Sequence, residues 1–99
     1  MLYVIYAPDK SDSRERRAAT RPRHLEYWGK NAPFKVILAG PMLDEGTGDM
    51  QGSLLIVEAD DIESVREKAF EDPYWTEGVF ERIDITAVRL PLGVLADKL

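Results

Sequence analysis

The chain has 99 residues, enough for one hydrophobic core and too few for a second, so 1–99 reads as one domain. With 44% hydrophobic and 31% charged residues it has the balance of a folded domain, and the absence of cysteine excludes a disulfide framework, thiolate metal sites and a cysteine nucleophile. A net charge of −5 and a pI near 4.8 argue against nucleic acid as a partner.

Leu2 to Ala7 is aromatic and β-branched and stops at Pro8-Asp9, which predicts a first strand. Both alternating faces are apolar (Leu2, Val4, Tyr6 and Tyr3, Ile5, Ala7), so this strand belongs in the interior of a sheet. The apolar start has no basic flank and is too short for a signal peptide or a membrane span. The expected location is the cytoplasm, with no membrane partner.

Ser11 to Asn31 predicts a helical region in two pieces. Ser11 or Ser13 caps the first through Ala19, and Thr20 caps the second with Pro22 in its first turn. Leu25 and Trp28 mark a buried stripe, and Gly29 with Asn31-Ala32-Pro33 ends the helix. Phe34 to Ala39 is a second strand closed by Gly40-Pro41, and Met42 to Gly52, with three glycines, reads as a mobile loop.

Ser53 to Ala59 is a third strand. Asp60 or Asp61 caps a helix, with Glu63 set for a capping box after Asp60, that buries Ile62, Val65, Ala69 and Phe70. Asp72-Pro73 breaks it, and Pro73-Tyr74-Trp75 adds one turn before Gly78. Val79 to Leu90 is the last strand, and the apolar tail from Pro91 (Leu92, Val94, Leu95) is expected to pack on its own subunit or a neighbour's.

The order β-α-β-β-α-β predicts a ferredoxin-like α+β fold, with a four-stranded antiparallel sheet carrying two main helices on one face. The first and third strands are apolar on both sides, so the open face needs a cover. A second copy of the sheet would supply it, as a homodimeric α/β barrel.

From Asp9 to Lys35 there are eight Lys/Arg against four Asp/Glu, and from Asp44 onward five against fourteen. The basic stretch suits a small anion, or is simply a solvated helix face. Within it lies His24, the only histidine and the side chain best suited to acid/base work near neutral pH. Spacing alone favours a histidine without a role at the helix edge. Asp72 alone reads as a turn residue; yet in this fold the two helices run the same way, so its carboxylate comes within range of His24. Arg21 lies one turn from His24. Gly40 and Pro41 read as a strand end that also lets a ligand near the backbone, and Ser53 as a strand start or a pocket residue. Tyr6, Tyr74 and Trp75 read as core, or as platforms for an aromatic ligand. Glu71-Asp72 lacks the further ligands of a metal site, and no dinucleotide or phosphate-loop motif is present, so neither metal nor cofactor is expected.

Several short stretches, in order and spacing, resemble the YCII-related (YciI-like) family over nearly the whole chain. They are the opening Met-Leu-Tyr-Val-Ile-Tyr-Ala, Arg21-Pro22-x-His24-Leu25, Ala39-Gly40-Pro41-Met42, Gly52-Ser53, Asp72-Pro73-Tyr74 and Gly78-Val79. The resemblance implies a dimeric α/β barrel with His24 and Asp72 paired in a cleft near the sheet. One branch of the family is similar to enzymes that remove chloride from chlorinated hydroxyquinols with a His-Asp pair. The short acidic, glycine-rich stretch after Gly40-Pro41 departs from the family pattern and bears on the substrate.

The leading expectation is therefore a small acid/base enzyme of lyase type. His24 and Asp72 would be catalytic, with Arg21, Gly40, Pro41, Ser53 and Tyr74 around a small anionic or aromatic substrate. A non-catalytic dimeric binding or assembly module is the alternative, and a third reading makes His24 a haem ligand.

Overall fold

The computed structural model describes residues 1–29 and 34–99. The predicted helix end at Asn31-Ala32-Pro33 lies outside them. The elements are β1 (Leu2–Pro8), α1 (Arg14–Gly29), β2 (Lys35–Leu43), β3 (Met50–Glu58), α2 (Ile62–Ala69), α3 (Pro73–Thr76) and β4 (Asp84–Val88), followed by a 3-10 turn at Ala96–Lys98.

The four strands form one antiparallel sheet in the order β2-β3-β1-β4, which is the ferredoxin-like arrangement. β1 is interior, paired with β3 on one side and β4 on the other. Its residues Tyr3, Ile5 and Ala7 point to the helices, as do Leu55 and Val57 of β3, and all five are buried. With Val65 and Ala69 of α2, most of these make the main core, while Ala7, Tyr74, Val79 and Phe80 form a second cluster beneath α3. The opposite sheet face exposes Tyr6, Leu38 and Leu54. No helix among the described residues is long and apolar enough to cross a membrane.

Four local expectations change. The helical region is one continuous α1 with Pro22 inside it, and Thr20 is buried mid-helix instead of capping a second piece. Tertiary contacts on that face outweigh the local break, although a proline inside a helix costs about 3 kcal/mol. Leu25 is half exposed, so the buried stripe runs through Arg17, Thr20 and Trp28. Gly40-Pro41 does not end the second strand, because β2 is an edge strand and can carry a residue without an N–H. The expected mobile loop is a tight hairpin: Asp44 accepts the Gly46 and Thr47 N–H groups, and its own N–H bonds to Asp49 O.

The remaining differences are smaller. Asp61, not Asp60, caps α2 by accepting the Ser64 N–H. Phe70 closes that helix with 40% exposure, outside its buried face. The last strand is short, since residues 79–83 make a connection bridged only at Asp9 and Phe80. Leu92 and Val94 are more than nine-tenths exposed, so the tail does not bury them against its own chain.

Candidate active site

The site lies where the second half of α1 crosses the β2–β3 edge of the sheet. Arg17, His24 and Trp28 are seven and four residues apart, a spacing that puts all three on one helix face. Across from them, register brings Ala39 opposite Leu55 and Pro41 opposite Ser53. Together with Gly40 and Leu25 these residues line a pocket of about 100 Å³. Gly52 lets β3 pass close to β1, since a Cβ there would sit 2.9 Å from the Ala7 carbonyl oxygen.

Asp72 reaches this place because Pro73 stops the preceding helix and starts α3, of which Asp72 is the N-cap. Its carboxylate is buried and takes three donors. Oδ1 accepts the Tyr74 N–H at 2.9 Å, Oδ2 accepts the Trp28 indole N–H at 2.8 Å, and His24 Nδ1 lies 2.9 Å from Oδ1 and 3.0 Å from Oδ2. A carboxylate has no proton to give, so Nδ1 carries the hydrogen and donates it. Neutral His24 is thereby fixed in the tautomer whose Nε2 has a free lone pair.

Tyr74 is fully buried and stacks on the imidazole, with ring centroids 3.9 Å apart and planes 16° from parallel. It supports His24 from behind and does not line the pocket. Burial also raises its phenol pKa, so the hydroxyl stays protonated. The Arg17 guanidinium also lies over the Tyr74 ring, 4.5 Å from its centroid. Arg17 donates to Asp9 Oδ1 and Oδ2 at 2.8 and 3.0 Å from Nη1, and to Ser53 Oγ at 2.8 Å from Nη2. Burial raises the Asp9 pKa, and the Arg17 charge and hydrogen bonds offset part of that rise.

The structure thus gathers His24, Gly40, Pro41 and Ser53 around one pocket, with Asp72 and Tyr74 directly behind His24. Arg21 is exposed and lines a neighbouring groove with Arg14, Gly48, Asp49 and Met50. Tyr6 and Trp75 do not line the His24 pocket. Sequence reasoning missed Arg17 and Asp9, and did not see that Trp28 is a donor to Asp72. The heptad spacing of Arg17 and His24 was the available signal, although Arg21, four residues from Arg17, shares a similar spacing and is left exposed. No cluster of three or more His, Cys, Asp or Glu among the described residues is arranged to hold a metal. The pocket is well below the roughly 300 Å³ at which sites for drug-sized ligands begin, so it does not accommodate a porphyrin as it stands.

The model of the YCII-related domain matches residues 1–89. The chain is 38% identical over 91 residues to protein YciI of Escherichia coli, covering 86% of this chain and 93% of that protein. It is 31% identical over 86 residues to a protein of Haemophilus influenzae, covering 81% and 88%. Among solved structures, it is similar to the 5-chloro-2-hydroxyhydroquinone dehydrochlorinase of Burkholderia phenoliruptrix in complex with 2,5-dihydroxybenzoquinone. That match has a TM-score of 0.80 and 33% identity, and covers 89% of this chain and 93% of the other.

Proposed function

The chain belongs to the YCII-related family, and from that premise we propose that it is a lyase-type enzyme acting by acid/base chemistry on a small oxygenated aromatic substrate. The observation that carries this reading is the buried Asp72 carboxylate on His24 Nδ1, which leaves Nε2 available as a base at a pocket. Asp72 orients the ring and stabilises the imidazolium that forms when Nε2 takes a proton. Nε2 takes a proton from a substrate hydroxyl and the imidazolium delivers it to the ring carbon that bears the leaving group, giving a keto tautomer. Loss of a second hydroxyl proton to Nε2 then forms the second carbonyl and expels the leaving group from that carbon. His24 then returns the proton to solvent or product. Similarity to a dehydrochlorinase supports chloride as that leaving group. The pocket is small enough that it takes the reacting edge of a ring, with the remainder toward the opening.

The test is chloride release from 5-chloro-2-hydroxyhydroquinone. Turnover by the wild type and a loss of about 10²–10⁴-fold in His24→Ala are expected. No release by wild type overturns the dehydrochlorinase reading, and full turnover by His24→Ala overturns the role of His24.

The working form we propose is a cytoplasmic homodimer. Tyr6, Leu38 and Leu54 lie exposed on a sheet face that a second copy would cover.

A further inference from the structure

Arg17 lines the pocket and Asp9 does not, and neither takes part in the His24–Asp72 contact. Both side chains are about 5% exposed, so two charges have been taken out of water. A buried ion pair is often no more stabilising than well-packed apolar residues of the same volume, so stability does not explain its presence. Its geometry also carries a cost: Arg17 Nε is buried with no hydrogen-bond partner. The guanidinium holds this place because its two ends are committed, one to Asp9 and the other to Ser53.

The consequence falls on Ser53. Its oxygen accepts from a group that is always charged and never an acceptor. Its own hydrogen has no acceptor among the hydrogen bonds of the described residues, and Ser53 lines the pocket beside His24. We infer that Asp9 and Arg17 are positioning residues that make the Ser53 hydroxyl a one-way donor into the His24 pocket, selecting planar ligands with an acidic hydroxyl beside a second oxygen. This rests on the reading of His24 Nε2 as a base. The ligand O–H meets Nε2, and the proton passes to the imidazole. The bonding pair stays on the ligand oxygens, where the Ser53 O–H stabilises the charge. A guanidinium-polarised donor is stronger than a free serine because hydrogen bonds in a chain reinforce one another.

The probe is 4-nitrocatechol, a planar compound with adjacent oxygens whose ionised form absorbs at longer wavelength. Binding is followed by visible titration, and thermal midpoints are recorded on the same samples. Wild type is expected to bind it and shift its spectrum toward the ionised form. Ser53→Ala should weaken binding by about tenfold or more. Arg17→Lys should weaken it similarly while keeping most of the thermal stability, because one ammonium on a flexible stem cannot hold Asp9 and Ser53 together as the planar fork does. The neutral pair Asp9→Asn with Arg17→Met avoids a lone buried charge; adding Ser53→Ala to it should change affinity by less than about threefold. Arg17→Lys that binds as wild type, full additivity with Ser53→Ala, or a wild type that does not bind would each overturn the inference. An intact binding series without chloride release would support it and count only against the proposed reaction.

Discussion

At the residue scale, Asp72 holds more of the site than any other side chain. One carboxylate orients His24, anchors the Trp28 indole and starts α3 through the Tyr74 N–H. Two replacements separate these tasks. Asp72→Asn keeps an acceptor oxygen but offers an amide N–H to Nδ1, which favours the wrong imidazole tautomer. We expect a turnover loss of about 10²–10⁴-fold with modest loss of stability, read from kcat and the thermal midpoint. Asp72→Ala strands two buried donors as well, each worth about 1–3 kcal/mol, and should unfold at clearly lower urea. Equal stability of the two variants would contradict this division of roles. His24 was legible from the sequence as the sole histidine, and Asp72 became legible once the strand and helix order was read. Arg17 was not, because an arginine in a basic helix looks like a solvated charge until its counter-ion is known to lie under the helix.

At the element scale, α1 and the short turns show local chemistry both obeyed and overruled. Asp61 and Asp44 do what their types suggest, accepting backbone N–H groups at a helix start and in a hairpin. Those bonds hold both carboxyls below the ordinary value of 3.8. A carboxyl with a depressed folded pKa contributes stability that is complete above its unfolded value and is lost as pH falls through the folded one. The thermal midpoint should therefore fall on acidification below about pH 4, with a shallower fall in the Asp44→Ala/Asp61→Ala double variant. Identical acid slopes would refute the assignment. Pro22 is the opposite case: it reads as a helix start, and α1 runs through it. Pro22→Ala restores a hydrogen-bond donor in an exposed turn and should stabilise the fold by about 1–3 kcal/mol in denaturant melts.

At the scale of the whole molecule, the proposed homodimer rests on the open sheet face. Leu54 is 39% exposed and Leu38 54% exposed on a surface that water would otherwise cover. These exposed leucines are the apolar side chains that the proposed second copy would cover. Sedimentation equilibrium should find a dimer for wild type and a monomer for Leu54→Glu, whose folded monomer keeps its helix-facing core. A wild-type monomer would remove the proposed barrel.

The sequence alone determined the order of elements, the interior place of β1 and the family, because these follow from side-chain period, turn residues and short motifs that any local reading can see. Its breaks misled at Gly40-Pro41 and at Thr20-Pro22. Whether a proline ends an element depends on whether its missing N–H was needed, and that depends on strand neighbours and helix packing. The distance from His24 to Asp72, the burial of Arg17 over Asp9, and the hydrogen bond from Arg17 to Ser53 were decided only by the tertiary structure. Each joins residues far apart in the chain, and only packing α1 on the sheet makes their hydrogen bonds possible.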